Sequence, residues 1–509
     1  MNAASAITFR LSDDPEFREV GTPLTTTDER YVLEIASDPT TITVVFSSER
    51  GRKWGAAHAR RLLTEGALEP GIVDEYPRFA VRGIIEGFYG KPWSRQQRLD
   101  MVRFLGSHRM NTFAYSPKDD EFCRRRWYEP YPATELATLA ELVQESTSCA
   151  VDVAYGLSPG LSIRYSDPSD VERLVAKYRQ VAELGVGHFQ LLLDDIPTTL
   201  QHAADRAMFP DLASAHVTLI DRVRRGLDEL DPRLRLAVCP TEYHGRGDEP
   251  YLTALGARTD PRIDLLWTGR AICSTELDLA DAATFVRTTS RPVLYWDNYP
   301  VNDVAMTAEL HLGAYRGRDP HLYRFSRGVI ANPMELPESS KIALATIADY
   351  LWDPVGYDPE RSWMNAITAV AGPRDAAAVR LFADNVRTSC LEESDSPLLA
   401  EALARLEFEE EFGDPKTGRD ALAELVARFA AAAAQLLGPG VENAPLAAEI
   451  RPWVEAFAVG TDQLRDLLDS TPSVATAYGA TEAPAVFGDV LDMFVRSAGG
   501  LMDRRNSGT

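Results

Sequence analysis

The sequence predicts an α/β protein built around a (β/α)8 TIM barrel, preceded by a small α/β unit and followed by a helical region. Two observations carry this reading. Between Phe79 and about Trp352, eight apolar strand-like segments are separated by helix-like ones, the pattern of eight βα repeats. Nearly every strand-like segment also runs out into a polar or glycine-containing motif. In a barrel these motifs all fall on the rim formed by the strands' C-terminal ends, where active sites are built. An open doubly wound sheet is the alternative, but it usually has fewer strands and a glycine-rich phosphate turn. No G-x-G-x-x-G occupies the first turns here.

Residues 1–78 read as the small α/β domain. Tyr31, Leu33 and Ile35 alternate as on a half-buried strand, as do Ile42, Val44 and Phe46, and a short helix follows around Ala56 to Leu63. Asp74-Glu75-Tyr76-Pro77-Arg78 connects to the barrel domain, residues 79–370. Its strands are expected at Ala80–Phe88, Asn111–Ser116, Val151–Leu157, Phe189–Asp194, Leu234–Cys239, Ile263–Trp267, Pro292–Trp296 and Gly328–Ala331. Between them Leu136, Leu139 and Val143 share one helical face, and Leu174, Tyr178 and Val181 share another. Residues 371–509 read as a helical domain, with apolar spacing at Leu422, Leu425, Val426 and Phe429 and again at Val454, Phe457, Leu464, Leu467 and Leu468. Gly438-Pro439-Gly440 separates one helix from the next. The alanine tract 430–434 suggests tight packing, and Asp503 to Thr509 a frayed end.

Composition narrows the function classes. At 509 residues the chain needs more than one core. A net charge of −23 argues against nucleic acid, whose phosphates would be repelled. Cys123, Cys149, Cys239, Cys273 and Cys390 are widely spaced and odd in number, which fits reduced thiols in the cytoplasm. The first residues, Met1 to Ile7, lack the basic and apolar segments of a signal peptide, and no stretch has the apolar length of a membrane span. A soluble cytoplasmic protein is therefore expected. His188 and His244 lack ligand spacing, so neither a metal nor a cofactor is expected.

The candidate chemistry sits at the strand ends. Asp194 and Asp195 close the apolar run Phe189–Leu193, delivering two carboxylates to one point of the rim. Taken alone they could equally cap a helix or supply half of a Mg²⁺ or Ca²⁺ site. Around the rim the other strands contribute Glu86-Gly87-Phe88-Tyr89-Gly90, Lys118-Asp119-Asp120, Cys239-Pro240-Thr241-Glu242-Tyr243, Trp267-Thr268-Gly269, Trp296-Asp297-Asn298 and Asn332-Pro333. Acids, amides and aromatic faces together suit a sugar. Singly, Lys118 reads as a surface lysine, Asn298 and Asn332 as turn residues, Tyr89 and Trp93 as core, and Cys239 as strand filler. Glu86 and Glu242 read as carboxylates supporting the site rather than acting in it.

Six motifs carry a resemblance: GIIEGFYGKPW at Gly83–Trp93, NTFAYSPKDD at Asn111–Asp120, LLLDDI at Leu191–Ile196, CPTEY at Cys239–Tyr243, LWTG at Leu266–Gly269 and WDNYPVND at Trp296–Asp303. In this order they closely resemble family 84 of the glycoside hydrolases, β-N-acetylglucosaminidases that include the enzymes removing O-linked GlcNAc from proteins. The resemblance covers residues 79 to about 335. It implies retaining hydrolysis in which the sugar's own 2-acetamido oxygen attacks, forming an oxazoline, where ordinary retaining enzymes supply a nucleophile. It further implies that Asp194 holds the acetamido N–H while Asp195 is the general acid/base. Tyr243 would align the acetamide and Trp296 would line the acetyl pocket. Gly87 (through its backbone) and Lys118 would bind ring hydroxyls, Asn298 would belong to the same pocket, and Asp303 with Asn332 would read the 4- and 6-hydroxyls. The adjacent carboxylates are expected to titrate as a pair, the acid pushed upward. Two rivals stay open: action on free glycans such as hyaluronan or chitin fragments, and a non-catalytic carbohydrate-binding protein. In some members helices near the barrel mouth form a dimer, which leaves open a homodimer through the helical domain.

Overall fold

The computed structural model describes residues 6–14, 17, 28–37, 40–65, 69–392, 396–469 and 484–487. The expectation for Asp503 to Thr509 lies outside them. By internal contacts the chain divides into two units: residues 1–298, 317–332 and 348–357 form the first, and 299–316, 333–347 and 358–509 the second.

The first unit opens with a four-stranded sheet, β1 (Ala6–Leu11), β2 (Tyr31–Ser37), β3 (Thr40–Phe46) and β4 (Gly71–Glu75), in the order β1-β3-β2-β4. The period-2 alternation puts Tyr31, Leu33, Ile35, Ile42 and Val44 on one buried face. That face packs with Trp54 and Ala59 of helix α1 (Glu49–Glu65), a longer helix than the expected segment. The sheet is tied to the first barrel strand through Arg82, whose guanidinium donates to Glu29 at 2.7 Å and lies over Trp54 and Trp352. Charge at so buried a position is tolerable only when paired and hydrogen-bonded in this way.

All eight expected barrel strands form: β5 (Val81–Glu86), β6 (Thr112–Tyr115), β7 (Asp152–Leu157), β8 (His188–Leu192), β9 (Arg235–Cys239), β10 (Asp264–Trp267), β11 (Val293–Asp297) and β12 (Ser326–Ala331). They close into a parallel barrel, β12 pairing with β5. Alternate residues Ile85, Ala114, Ala154, Leu192, Cys239, Leu266, Trp296 and Ile330 fill its interior, while the intervening residues face the helices. These include α2 (Arg95–Ser107), α3 (Ala133–Ser148), α4 (Pro168–Ala182), α5 (Ala203–Met208), α6 (Leu212–Leu230), α7 (Pro250–Arg258) and α8 (Leu279–Thr289). Ser94 starts α2 with a capping box, its hydroxyl and the Gln97 side chain satisfying each other's backbone N–H.

Helix α9 (Pro337–Trp352) follows β12, and the second unit is helical, with α10 (Pro359–Ala371), α11 (Ala376–Ala383), α12 (Pro397–Phe412), α13 (Pro415–Leu437) and α14 (Ala444–Asp469). Leu422, Leu425, Val426 and Phe429 form the buried stripe of α13, and Gly438-Pro439-Gly440 ends it. Phe382, Phe429, Phe457 and Phe487 pack ring against ring at its centre. Among the described residues no helix is long and apolar enough to cross a membrane.

Candidate active site

The two aspartates lie just beyond β8. The ladder to β9 runs one residue past the strand: Leu193 donates to the Cys239 carbonyl at 2.9 Å, and its own carbonyl accepts the Thr241 hydroxyl at 2.7 Å. Asp194 therefore leaves a fixed platform. At Asp195 the backbone turns into the left-handed region, φ +53, which Asp tolerates better than most residues. The two side chains part by this turn and not by strand alternation. That of Asp194 is 8% exposed and that of Asp195 35%.

Lys118 reaches both. Its ammonium donates to Asp194 Oδ2 at 3.1 Å and lies 3.7 Å from Asp195 Oδ2. Burial works against its charge, but Asp194, Tyr89 and Asp195 together hold it above its ordinary value. It stays a cation. The loop that presents it is clamped by Asp120, which accepts from the Phe122 N–H and from the hydroxyls of Tyr115 and Tyr131. Lys118 sits 6.0 Å from the centre of the Trp296 ring, whose indole N–H donates to Asn298 Oδ1 at 2.8 Å. Asn332 donates to that same oxygen at 3.1 Å, and Asn298 is held in turn by the Ile272 carbonyl. Below this row Asp297 and Arg318 form a buried bidentate pair that fixes the end of β11.

Gly87 is buried against Trp296, where an added Cβ would lie 2.9 Å from the indole; only glycine allows this approach. Tyr243 donates to Asp195 Oδ1 at 3.3 Å. Burial and the neighbouring Asp195 and Asp194 raise its phenol well above the ordinary range, so it remains a donor. Among the site residues described above, two buried acceptors receive no hydrogen bond from any described residue: Asp194 Oδ1 and Asn332 Oδ1. Such acceptors cost free energy unless water or a ligand supplies a donor.

Of the residues singled out in the sequence, Gly87, Lys118, Asp194, Asp195, Tyr243, Trp296, Asn298 and Asn332 occur in the first unit, linked as described. Asp303 falls in the second, opening the turn Val304–Met306. Trp93 is core, 2% exposed. Glu86 supports the site: it holds Arg98 through two hydrogen bonds and accepts the Trp93 N–H, bracing the loop that carries Gly87. Cys239 is buried and its thiol pushed up by burial, an inert filler. Tyr89, which reads as core in the sequence, is not core. It is 37% exposed and donates to Asp195 Oδ2 at 2.8 Å. No cluster of three or more His, Cys, Asp or Glu able to hold a metal occurs among the described residues.

With this geometry, comparison with known proteins is direct. A beta-N-acetylglucosaminidase family model matches residues 82–384. The chain belongs to the β-N-acetylglucosaminidase family. Protein O-GlcNAcases of Rattus norvegicus and Mus musculus are each 32% identical to it over 343 residues, 65% of this chain and 36% of theirs. The chain thus spans little more than a third of the length of these relatives. Among solved structures, an O-GlcNAc hydrolase of Thermobaculum terrenum is 32% identical with a TM-score of 0.77, over 83% of this chain and 94% of that one. CpGH84B is 25% identical with a TM-score of 0.81, over 95% of this chain and 88% of that one. This β-N-acetylglucosaminidase family member carries the (β/α)8 barrel described above.

Proposed function

We propose that the protein hydrolyses terminal β-linked N-acetylglucosamine with retention, using the substrate's acetamido oxygen as nucleophile, and that its substrate is O-GlcNAc on serine and threonine of proteins. The observation that carries the mechanism is Asp194: Oδ2 is held by Lys118 while the buried Oδ1 accepts nothing from any described residue. A carboxylate prepared in that way suits the acetamido N–H, which needs an acceptor and gains positive charge as its carbonyl oxygen bonds to the anomeric carbon. The anomeric bond to the leaving oxygen breaks, and Asp195 gives that oxygen its proton. Asp195 then takes a proton from water, which attacks the anomeric carbon and reopens the oxazoline to N-acetylglucosamine. Tyr243, now bonded to Asp195, would turn to the acetamide oxygen. Trp296 would line the acetyl pocket, Gly87 (through its backbone) and Lys118 would bind ring hydroxyls, Asn298 would belong to the same pocket, and Asn332 would read the outer hydroxyls.

The names of the relatives in rat, mouse and Thermobaculum support the protein substrate over free glycans. A binding module would have no use for a charged, orphaned carboxylate beside a donor-lined acid. The three-part division at about residues 78 and 370, a cytoplasmic location consistent with the free cysteines, and a homodimer through the helical region belong to this proposal as well. Release of aryl alcohol from an aryl β-N-acetylglucosaminide, compared with the matching β-glucoside, tests it. Rapid turnover of the first and none of the second is expected, and equal rates would exclude acetamido participation.

A further inference from the structure

Asp195 is ringed by groups that donate. Tyr89 gives its hydroxyl proton to Oδ2 at 2.8 Å, Tyr243 gives its own to Oδ1 at 3.3 Å, and the Lys118 ammonium stands 3.7 Å from Oδ2. Its neighbour Asp194 is paired with Lys118, and the Cys239 thiol, close enough to feel both carboxylates, is kept protonated by burial. The same Tyr89 hydroxyl also meets Arg124, from the loop between β6 and α3. Its Nη2 donates to the Tyr89 hydroxyl oxygen at 3.3 Å, and its guanidinium lies 5.6 Å from the centre of the ring. Arg124 makes no ion pair with any described residue, whereas most arginines of this chain are matched with carboxylates.

An arginine has five donors and no acceptor. The bond between Arg124 and Tyr89 therefore has one direction, with the phenol oxygen accepting, and the single phenol proton is left to point at Asp195. We propose that Arg124 is a positioning residue that fixes this polarity, so that a proton on Asp195 finds no acceptor in Tyr89 and is offered to the leaving oxygen of the substrate. The inference rests on the reading of Asp195 as general acid/base. Without Arg124 the Tyr89 hydroxyl is free to rotate and accept from the protonated carboxyl, holding the proton inside the protein.

The consequence is a change in proton delivery without a change in sugar binding. In Arg124→Met the alkaline limb of the kcat/KM profile moves up by roughly half a unit to one unit, as expected when a donor to a carboxylate is weakened. Turnover of aryl glycosides with poor leaving groups falls about threefold to tenfold, a fraction of the roughly 10²–10⁴-fold that general acid catalysis is worth. Glycosides with good leaving groups lose less than twofold, by the same reasoning. Arg124→Lys, which still donates, keeps the wild-type limb.

A double-mutant cycle separates this relay from a direct effect of the arginine's charge. Adding Arg124→Met to Tyr89→Phe should shift nothing further, because the phenol through which it acts is gone. An unmoved alkaline limb in Arg124→Met overturns the proposal, and so does a shift that survives undiminished in the Tyr89→Phe background. Asp195→Asn, assayed alongside, tests the underlying reading. If that variant keeps its turnover of poor leaving groups, Asp195 is not the acid, and the two failures are told apart.

Discussion

Removing Asp194 tests the assignment on which the mechanism depends. Its buried Oδ1 accepts no hydrogen bond from any described residue, and its Oδ2 is 3.1 Å from Lys118. An unsatisfied buried acceptor costs about 1–3 kcal/mol, and a hydrogen bond to a charged group returns about 1.5–3 kcal/mol when a donor arrives. If that donor is the acetamido N–H, the bond strengthens as the nitrogen becomes positive. Preorganised charge stabilisation of this kind is worth about 2.7–4 kcal/mol, or 10²–10³-fold in kcat. Asp194→Asn keeps an acceptor oxygen but loses the charge, so a fall of about 10²-fold is expected; Asp194→Ala loses both and should fall about 10³-fold. Lys118 lies 3.7 Å from Asp195 in the wild type, so either variant is expected to retain a counter-ion for it. The assay is steady-state hydrolysis of aryl β-N-acetylglucosaminides bearing acetyl, fluoroacetyl and difluoroacetyl groups. Wild-type rates should drop with each fluorine as the carbonyl oxygen loses nucleophilicity, and the slope should change in Asp194→Ala. A thiazoline built on the sugar should bind the wild type tightly and the alanine variant weakly. Rates within tenfold of wild type in Asp194→Ala, with thiazoline binding intact, would refute the reasoning.

Asp195→Asn should nearly abolish turnover of substrates with poor leaving groups and spare the first step for good ones; equal losses, measured by burst and steady-state kinetics, would put the acid elsewhere. Gly87→Ala places a methyl 2.9 Å from Trp296; it should weaken thiazoline binding more than tenfold at nearly unchanged Tm, since displacing an indole that lines the acetyl pocket disturbs binding geometry before stability. His216 is buried between the hydroxyls of Tyr251 and Tyr165, and burial lowers it to about 3. The unfolded chain binds that proton near pH 6.5 and the folded one does not, so its contribution is present above about pH 6.5 and is lost as pH falls towards 3. At pH 5 the loss approaches about 2 kcal/mol, and denaturant melts of wild type and His216→Gln should show a shallower acid dependence in the variant.

Much of the fold was legible because each barrel strand satisfies one local rule. β8 reads as an apolar run because it is covered on both faces, by the barrel interior and by helices, and the carboxylates that follow it mark where that cover ends. The same reasoning placed the polar motifs of β5, β9 and β11 on one rim. The way Asp194 and Asp195 diverge was not legible, because a left-handed φ at Asp195 belongs to the turn into Ile196 and leaves no periodic trace.

The residues proposed to tune the acid were invisible for a related reason. Phe88 and Tyr89 are adjacent aromatics in a glycine-flanked loop, yet Phe88 is 3% exposed against Trp93 while Tyr89 turns outward to Asp195. Nothing in Gly87-Phe88-Tyr89-Gly90 says which ring faces the core, because the choice is made by the position of β8, about a hundred residues away in sequence. Arg124 stands in a run of three arginines, Arg124-Arg125-Arg126, where charge alone cannot separate the one that meets a phenol from the one that pairs with Glu129. The residues proposed to contact the sugar follow closely on strand ends and inherit the strands' legibility. Those proposed to set the direction of a proton sit in the loops, and their roles depend on hydrogen bonds that only the closed barrel brings within reach.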